Sequence, residues 1–206
     1  MSAPDEGSLR AQTRTLLDLV QRNPVIAALF ERTPALGLPD WCLGAGAVAQ
    51  TVWNILSGRD SGAGIVDYDL VYFDPTDLSK DAELNNERAV QELVAELAVS
   101  LDVKNEARVH LWYEKRYGRA IEPYRSLGDA IRTWPTTATC IGIRAEDGGF
   151  DVYAPFGLSD LLGMVVRPNK TQITQSVYEA KVERWIAVWP TLTVVPWHDD
   201  TDLQLP

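Results

Sequence analysis

Apolar residues near the start of the chain, Leu9, Leu16, Leu17 and Val20, recur at helical spacing. Asn23-Pro24 then reads as an N-cap with proline in the first turn of a second helix, so two helices occupy 1–36. Trp41-Cys42-Leu43 runs into Gly44-Ala45-Gly46, after which Val48, Val52, Ile55 and Leu56 form a helical stripe that ends at Gly58. This is the signature of a strand, a glycine turn and a helix. Val66 to Phe73 is β-branched and aromatic and closes at Asp74-Pro75, which predicts a strand. Leu84, Val90, Leu93, Val94 and Leu97 predict a longer helix leading to Leu101-Asp102-Val103, and Arg108 to Tyr113 alternates like a further strand. Ser126, with Asp129 three residues on, opens a short helix before Pro135. Thr139 to Arg144 and Phe150 to Tyr153 flank Glu146-Asp147-Gly148-Gly149 as a hairpin. Tyr178, Val182, Trp185, Ile186 and Trp189 predict a last amphipathic helix ending at Pro190.

Helices and strands alternating in this way describe one α/β domain over 1–206, since no stretch reads as a linker. Its parts are the N-terminal helices at 1–36, a core at 41–113 and a C-terminal part at 120–197. Composition agrees: 46% of the 206 residues are hydrophobic and 23% charged, and no apolar run nears the roughly 18 residues that cross a bilayer. Met1 to Ser8 carry Asp5 and Glu6 rather than a basic cluster and an apolar core, which argues against a secretory signal and for a cytoplasmic location. Cys42 and Cys140 stand far apart without the partners of a metal or redox motif and are expected to be buried.

The net charge of −10 repels a polyanion over most of the surface and argues against an extended nucleic-acid-binding face. From Lys104 to Arg144, however, eight basic residues stand against four acids. That stretch reads either as a solvated face or as a local anion site.

Residues two apart on a strand share a face, so Asp67 and Asp69 project together while Tyr68 and Leu70 point away. Two adjacent carboxylates repel one another unless solvent or a cation offsets the charge. Alone, such a pair fits two exposed acids on an edge strand equally well. Carboxylate oxygens also suit a hard cation, magnesium or manganese, that shares its remaining positions with phosphate oxygens and water. Gly44 and Gly46 at a helix start let backbone N–H groups approach a phosphate, and Asp102 on a later strand is a candidate third acid.

This order of glycine turn, helix, Asp-x-Asp strand, helix and strand with a further acid resembles the nucleotidyltransferase superfamily that includes DNA polymerase beta. Trp41 to Asn54 and Val66 to Asp74 resemble more closely a bacterial family of uncharacterised nucleotidyltransferase-like proteins. So do Val103-Lys104-Asn105, Ala107 to Tyr113, Ala154 to Leu158 and Val166 to Asn169, and the likeness spans about 41 to 197. The resemblance implies the nucleotidyltransferase fold, a mixed sheet flanked by helices. It implies transfer of a nucleoside monophosphate from a nucleoside triphosphate to an unknown acceptor. Asp67 and Asp69 match the paired metal ligands, and Asp102 matches the acid that helps bind one metal and deprotonate the acceptor. Gly44, Ala45 and Gly46 fall where the superfamily turn holds the triphosphate. That turn is usually Gly-Gly or Gly-Ser; here it reads Gly-Ala-Gly-Ala. The departure motivates an alternative, a catalytically inactive nucleotide-binding or regulatory protein.

Lys104, two residues from Asp102, and Arg108 are candidate nucleotide contacts. His110 shares the face of Arg108 if that segment is a strand, and Arg167 with Lys170 form a weaker anion candidate. The glycine-rich segment from Ser57 to Gly64 reads as a substrate cover or a disordered insert. Trp185 and Trp189, four apart on a helix, are expected in the core.

Overall fold

The computed structural model describes residues 6–198. In chain order these form α1 (Glu6–Val20), α2 (Pro24–Arg32), β1 (Cys42–Gly44), α3 (Ala45–Leu56), β2 (Asp67–Tyr72), α4 (Lys80–Leu93) and β3 (Ser100–Asn105). Then come α5 (His110–Tyr117), α6 (Leu127–Ile131), β4 (Gly142–Glu146), β5 (Gly149–Tyr153), α7 (Ser159–Leu162), β6 (Val165–Val166), α8 (Gln175–Val188) and β7 (Thr193–Val194).

Five strands make a mixed sheet in the order β3-β2-β1-β4-β5. β2 and β3 are parallel, which requires a crossover, and α4 supplies it; the other pairs are antiparallel. The remaining strands, β6 and β7, pair separately and in parallel.

Strand alternation gives the sheet two unlike faces. Leu43, Tyr68, Leu70, Tyr72, Leu101, Val103 and Ile143 belong to the main core, together with α1, α2 and α3. Trp53 of α3 meets Trp185 and Trp189 edge-on there, with ring centroids 5.3 and 5.6 Å away. The opposite face carries a smaller cluster of Cys42, Val71, Leu127, Ile131 and Cys140, covered by α6. Period-two spacing sets Asp67 and Asp69 on this second face, on the strand end beyond Val71.

Buried polar residues lock the layers. The Asn23 side chain caps α2 by accepting from the Val25 N–H at 3.0 Å, and its Nδ2 donates to Thr51 Oγ1 at 2.9 Å. Asn54 accepts from Trp189 Nε1 at 3.0 Å, which ties α3 to the end of α8.

The expected segments recur, with shifted ends, except in four places. Arg108 to Tyr113 is no strand: Glu106–Arg108 is a 3-10 turn and α5 follows. The Asn105 side chain accepts from the Ala107 N–H at 3.1 Å and starts that turn, and Val109 and Tyr113 are buried one helical turn apart. An alternating string was therefore a helix seen with the wrong period, and Arg108, His110 and Trp112 share no strand face. Leu9, Leu56 and Ile186 are 41, 45 and 42% exposed and lie outside the apolar stripes of α1, α3 and α8. The segment from Ser57 to Gly64 is ordered, because Asn54 Nδ2 donates to Ser61 O at 3.2 Å and Ala63 O at 2.8 Å. It lies at the C-terminal end of α3, and a Cβ at its Gly62 would stand 3.6 Å from the Tyr68 hydroxyl on the core side of β2. The short strands β6 and β7 had no counterpart in the sequence pattern. Both cysteines are buried, as are Trp185 and Trp189.

Candidate functional site

Gly44 joins β1 to α3 and pairs across the sheet with Asp69. Only glycine fits: a Cβ there would stand 2.6 Å from Ile141 O and 2.7 Å from the Trp134 ring. Ala45 then adopts φ +49°, a left-handed conformation that a side chain disfavours, and its N–H donates to Ile141 O at 3.2 Å. The turn thus holds strain at the start of α3. The next residue, Gly46, stands against the Asp69 carboxylate: a Cβ there would lie 3.6 Å from Asp69 Oδ2, and its N–H helps to hold that carboxyl's proton affinity down. The glycine turn and the second acid of β2 are in direct contact.

On the other side of β2, the parallel register pairs Asp67 with Ser100 and Asp69 with Asp102. Asp69 and Asp102 are therefore neighbours on adjacent strands about 4.8 Å apart and share a face. Lys104 follows on that face, and its Nζ stands 2.5 Å from Asp102 Oδ1. Burial, helped by the charges of Asp67 and Asp102, pushes the Asp69 carboxyl up to about 7; Lys181 and the Gly46 N–H oppose the rise.

These groups suit a divalent cation by the chemistry of their donors. Asp67 and Asp69 offer hard carboxylate oxygens and, among the described residues, neither makes an ion pair of its own. Their repulsion is only partly offset, which a cation would complete. Among the described residues, no three acidic, histidine or cysteine side chains are yet gathered closely enough to hold an ion, and Asp102 is turned to Lys104.

The other candidates divide. Lys104 is on the site face. Arg108 is not available there: it forms a buried ion pair with Glu83, and its Nε donates to Leu78 O at 2.8 Å. Glu83 in turn accepts from the Asn105 N–H at 2.9 Å, so this pair fastens α4 to the end of β3. His110 Nδ1 is buried without a hydrogen-bond partner among the described residues. Arg167 pairs with Asp160 at 2.9 Å, and Lys170 lies 5.6 Å from the Trp197 ring centroid. The basic stretch does not gather into one patch, since Arg119 donates to Gln172 O, Arg132 to Tyr153 and Arg144 to Asp40 and Glu146.

Two residues were not legible as site components. Lys181 of α8 feels the charges of both Asp69 and Asp67, and its Nζ lies 5.6 Å from the Trp185 ring centroid. Burial first, then Arg184, lowers its affinity for a proton, while the two aspartates act in the other sense. A lysine one turn before a core tryptophan on the last helix was the available signal. Glu106, buried at the end of β3, is pushed up to about 8 by burial and then by Asp69, Glu83 and Asp102.

A family profile described as "Nucleotidyltransferase" matches residues 31–194. A solved structure described as "The NMR structure of the protein reveals a CCA-adding enzyme head domain" superposes with a TM-score of 0.72 at 26% identity, covering 89% of this chain and 95% of that one. None of the curated proteins matches the chain. No helix among the described residues is long and apolar enough to cross a membrane.

Proposed function

The chain belongs to the nucleotidyltransferase family, and on that premise we propose that it transfers a nucleoside monophosphate from a nucleoside triphosphate to an acceptor hydroxyl, with a divalent cation bound at Asp67 and Asp69. The observation that carries this reading is the convergence of three elements on one sheet face. The α3 turn meets Asp69 at Gly46, β2 contributes Asp67 and Asp69, and β3 sets Asp102 beside Asp69.

Asp67, Asp69 and Asp102 would hold magnesium or manganese, which when bound neutralises phosphate charge and makes the acceptor hydroxyl more acidic. The chain's own groups do the rest. The turn at Gly44 to Gly46 receives the triphosphate at the start of α3, where backbone N–H groups and the helix dipole favour an anion. Lys181 adds positive charge from α8, held against Trp185. Asp102 accepts the hydroxyl proton. The acceptor oxygen bonds to the α-phosphorus, the bond from that phosphorus to its bridging oxygen breaks, and pyrophosphate leaves with the electron pair. Catalysis rests on positioning and charge, since no covalent enzyme intermediate is required.

A second reading, nucleotide binding without transfer, draws on the turn. Its Ala45 N–H is spent on Ile141 O and its Gly46 N–H lies near the Asp69 carboxylate, which leaves fewer donors for phosphate. Transfer of label from radioactive nucleoside triphosphates to candidate acceptors tests the choice. Labelling that Asp67→Asn and Asp69→Asn leave intact would remove the proposal.

A further inference from the structure

The third acid of the site is already engaged by a cation of the chain itself. β3 alternation sets Asp102 and Lys104 on one face, and their charged atoms stand 2.5 Å apart with side chains 43% and 35% exposed. The Lys104 ammonium also lies 3.4 Å from Val103 O, so it is held back along its own strand rather than extended across the face. Asp67 and Asp69, by contrast, make no ion pair among the described residues. One strand thus presents carboxylates without a salt-bridge partner, and the neighbouring strand a carboxylate with its counter-ion built in.

Resting on the nucleotidyltransferase reading, we infer that Lys104 is a resident counter-ion of Asp102, and that Asp102 joins the Asp67 and Asp69 pair only when the Lys104 ammonium moves from it to the incoming triphosphate. In this exchange no covalent bond changes; one ion pair is traded for another. Lys104 is then a positioning residue whose charge links two events. Without nucleotide it competes with a divalent ion for Asp102. With nucleotide its charge is taken up by phosphate oxygens, and Asp102 becomes free to hold the second ion and to receive the acceptor proton. A first cation needs only Asp67 and Asp69 and is indifferent to Lys104.

The test is a manganese titration of the full chain followed by the electron paramagnetic resonance of free ion, without nucleotide. The wild type is expected to bind one ion tightly and a second weakly. Lys104→Met is expected to tighten the second site about fivefold, the scale of a partly exposed ion pair, and leave the first unchanged. Lys104→Arg should behave as wild type, and Asp102→Asn should remove the second ion in either background. Addition of a nonhydrolysable triphosphate should tighten the second ion in the wild type more than in Lys104→Met. Far-UV circular dichroism checks that each variant is folded. Equal second-site affinity in wild type and Lys104→Met, with a first ion that Asp67→Asn removes, would overturn this inference and leave the parent reading standing. Absence of any ion that depends on Asp67 would overturn both.

Discussion

Gly46 packs against Asp69, a Cβ at the glycine standing 3.6 Å from the Asp69 Oδ2, so the first turn of α3 and the acidic strand β2 form one unit. What disturbs the turn therefore disturbs the acids. Gly44 is the fixed point of this unit, because a methyl group there would stand 2.7 Å from the Trp134 ring and 2.6 Å from Ile141 O. Gly44→Ala is expected to lower stability by about 2–3 kcal/mol, as overpacking a rigid site does, and to lower transfer activity further than the stability loss explains. Urea denaturation alongside a transfer assay measures both.

Asp69 makes stability depend on pH when no metal is present. Its carboxyl is raised in the fold from 3.8 to about 7, chiefly by burial and then by Asp67 and Asp102. A raised carboxyl contributes stability that is whole below 3.8 and is lost as pH climbs through about 7. Glu106, raised to about 8, acts in the same sense. In the presence of a chelator the wild type should therefore melt lower at about pH 8 than at about pH 5, and Asp69→Asn should lose less over that interval. At the higher pH the inactive variant should be the more stable protein, by about 1–3 kcal/mol, measured by thermal melts.

Arg108 should prove structural. Arg108→Met strands Glu83 in the buried contact between α4 and β3 and is expected to cost about 3 kcal/mol, whereas triphosphate affinity of the folded variant should be unchanged. Denaturation and calorimetry together separate this from a role in nucleotide binding.

Lys181 should behave in the opposite way. Lys181→Met removes the α8 charge that faces Asp67 and Asp69, and KM for the nucleoside triphosphate should rise about tenfold with little change in the melting temperature. Steady-state kinetics on a soluble, folded variant is the check.

The parts of the site legible in the sequence are those that depend on local period. Period two in Asp67, Asp69 and Val71 gives the face of the acids, and the glycines before Val48 give the turn; both stand in the structure. The Asn23 cap and the buried Val48 and Val52 of the α3 stripe were readable for the same reason, whereas Leu56 of that stripe is exposed. Long-range pairings were not. Arg108 looks like a phosphate ligand until Glu83, 25 residues away, closes on it. Lys181 looks like a surface lysine until α8 folds against α3. The misread strand at 108–113 shows a third limit: six residues of mixed polarity satisfy period two by chance, and a cap from Asn105 decided for a helical turn.

Chemistry at the Asp67 and Asp69 pair is read out by pyrophosphate release from nucleoside triphosphates in the presence of magnesium and a range of hydroxyl acceptors. Release is expected to require the metal and to be lost in Asp67→Asn. A wild-type protein that binds triphosphate yet releases no pyrophosphate with any acceptor, or an Asp67→Asn protein that releases it as fast as wild type, would contradict chemistry at this pair.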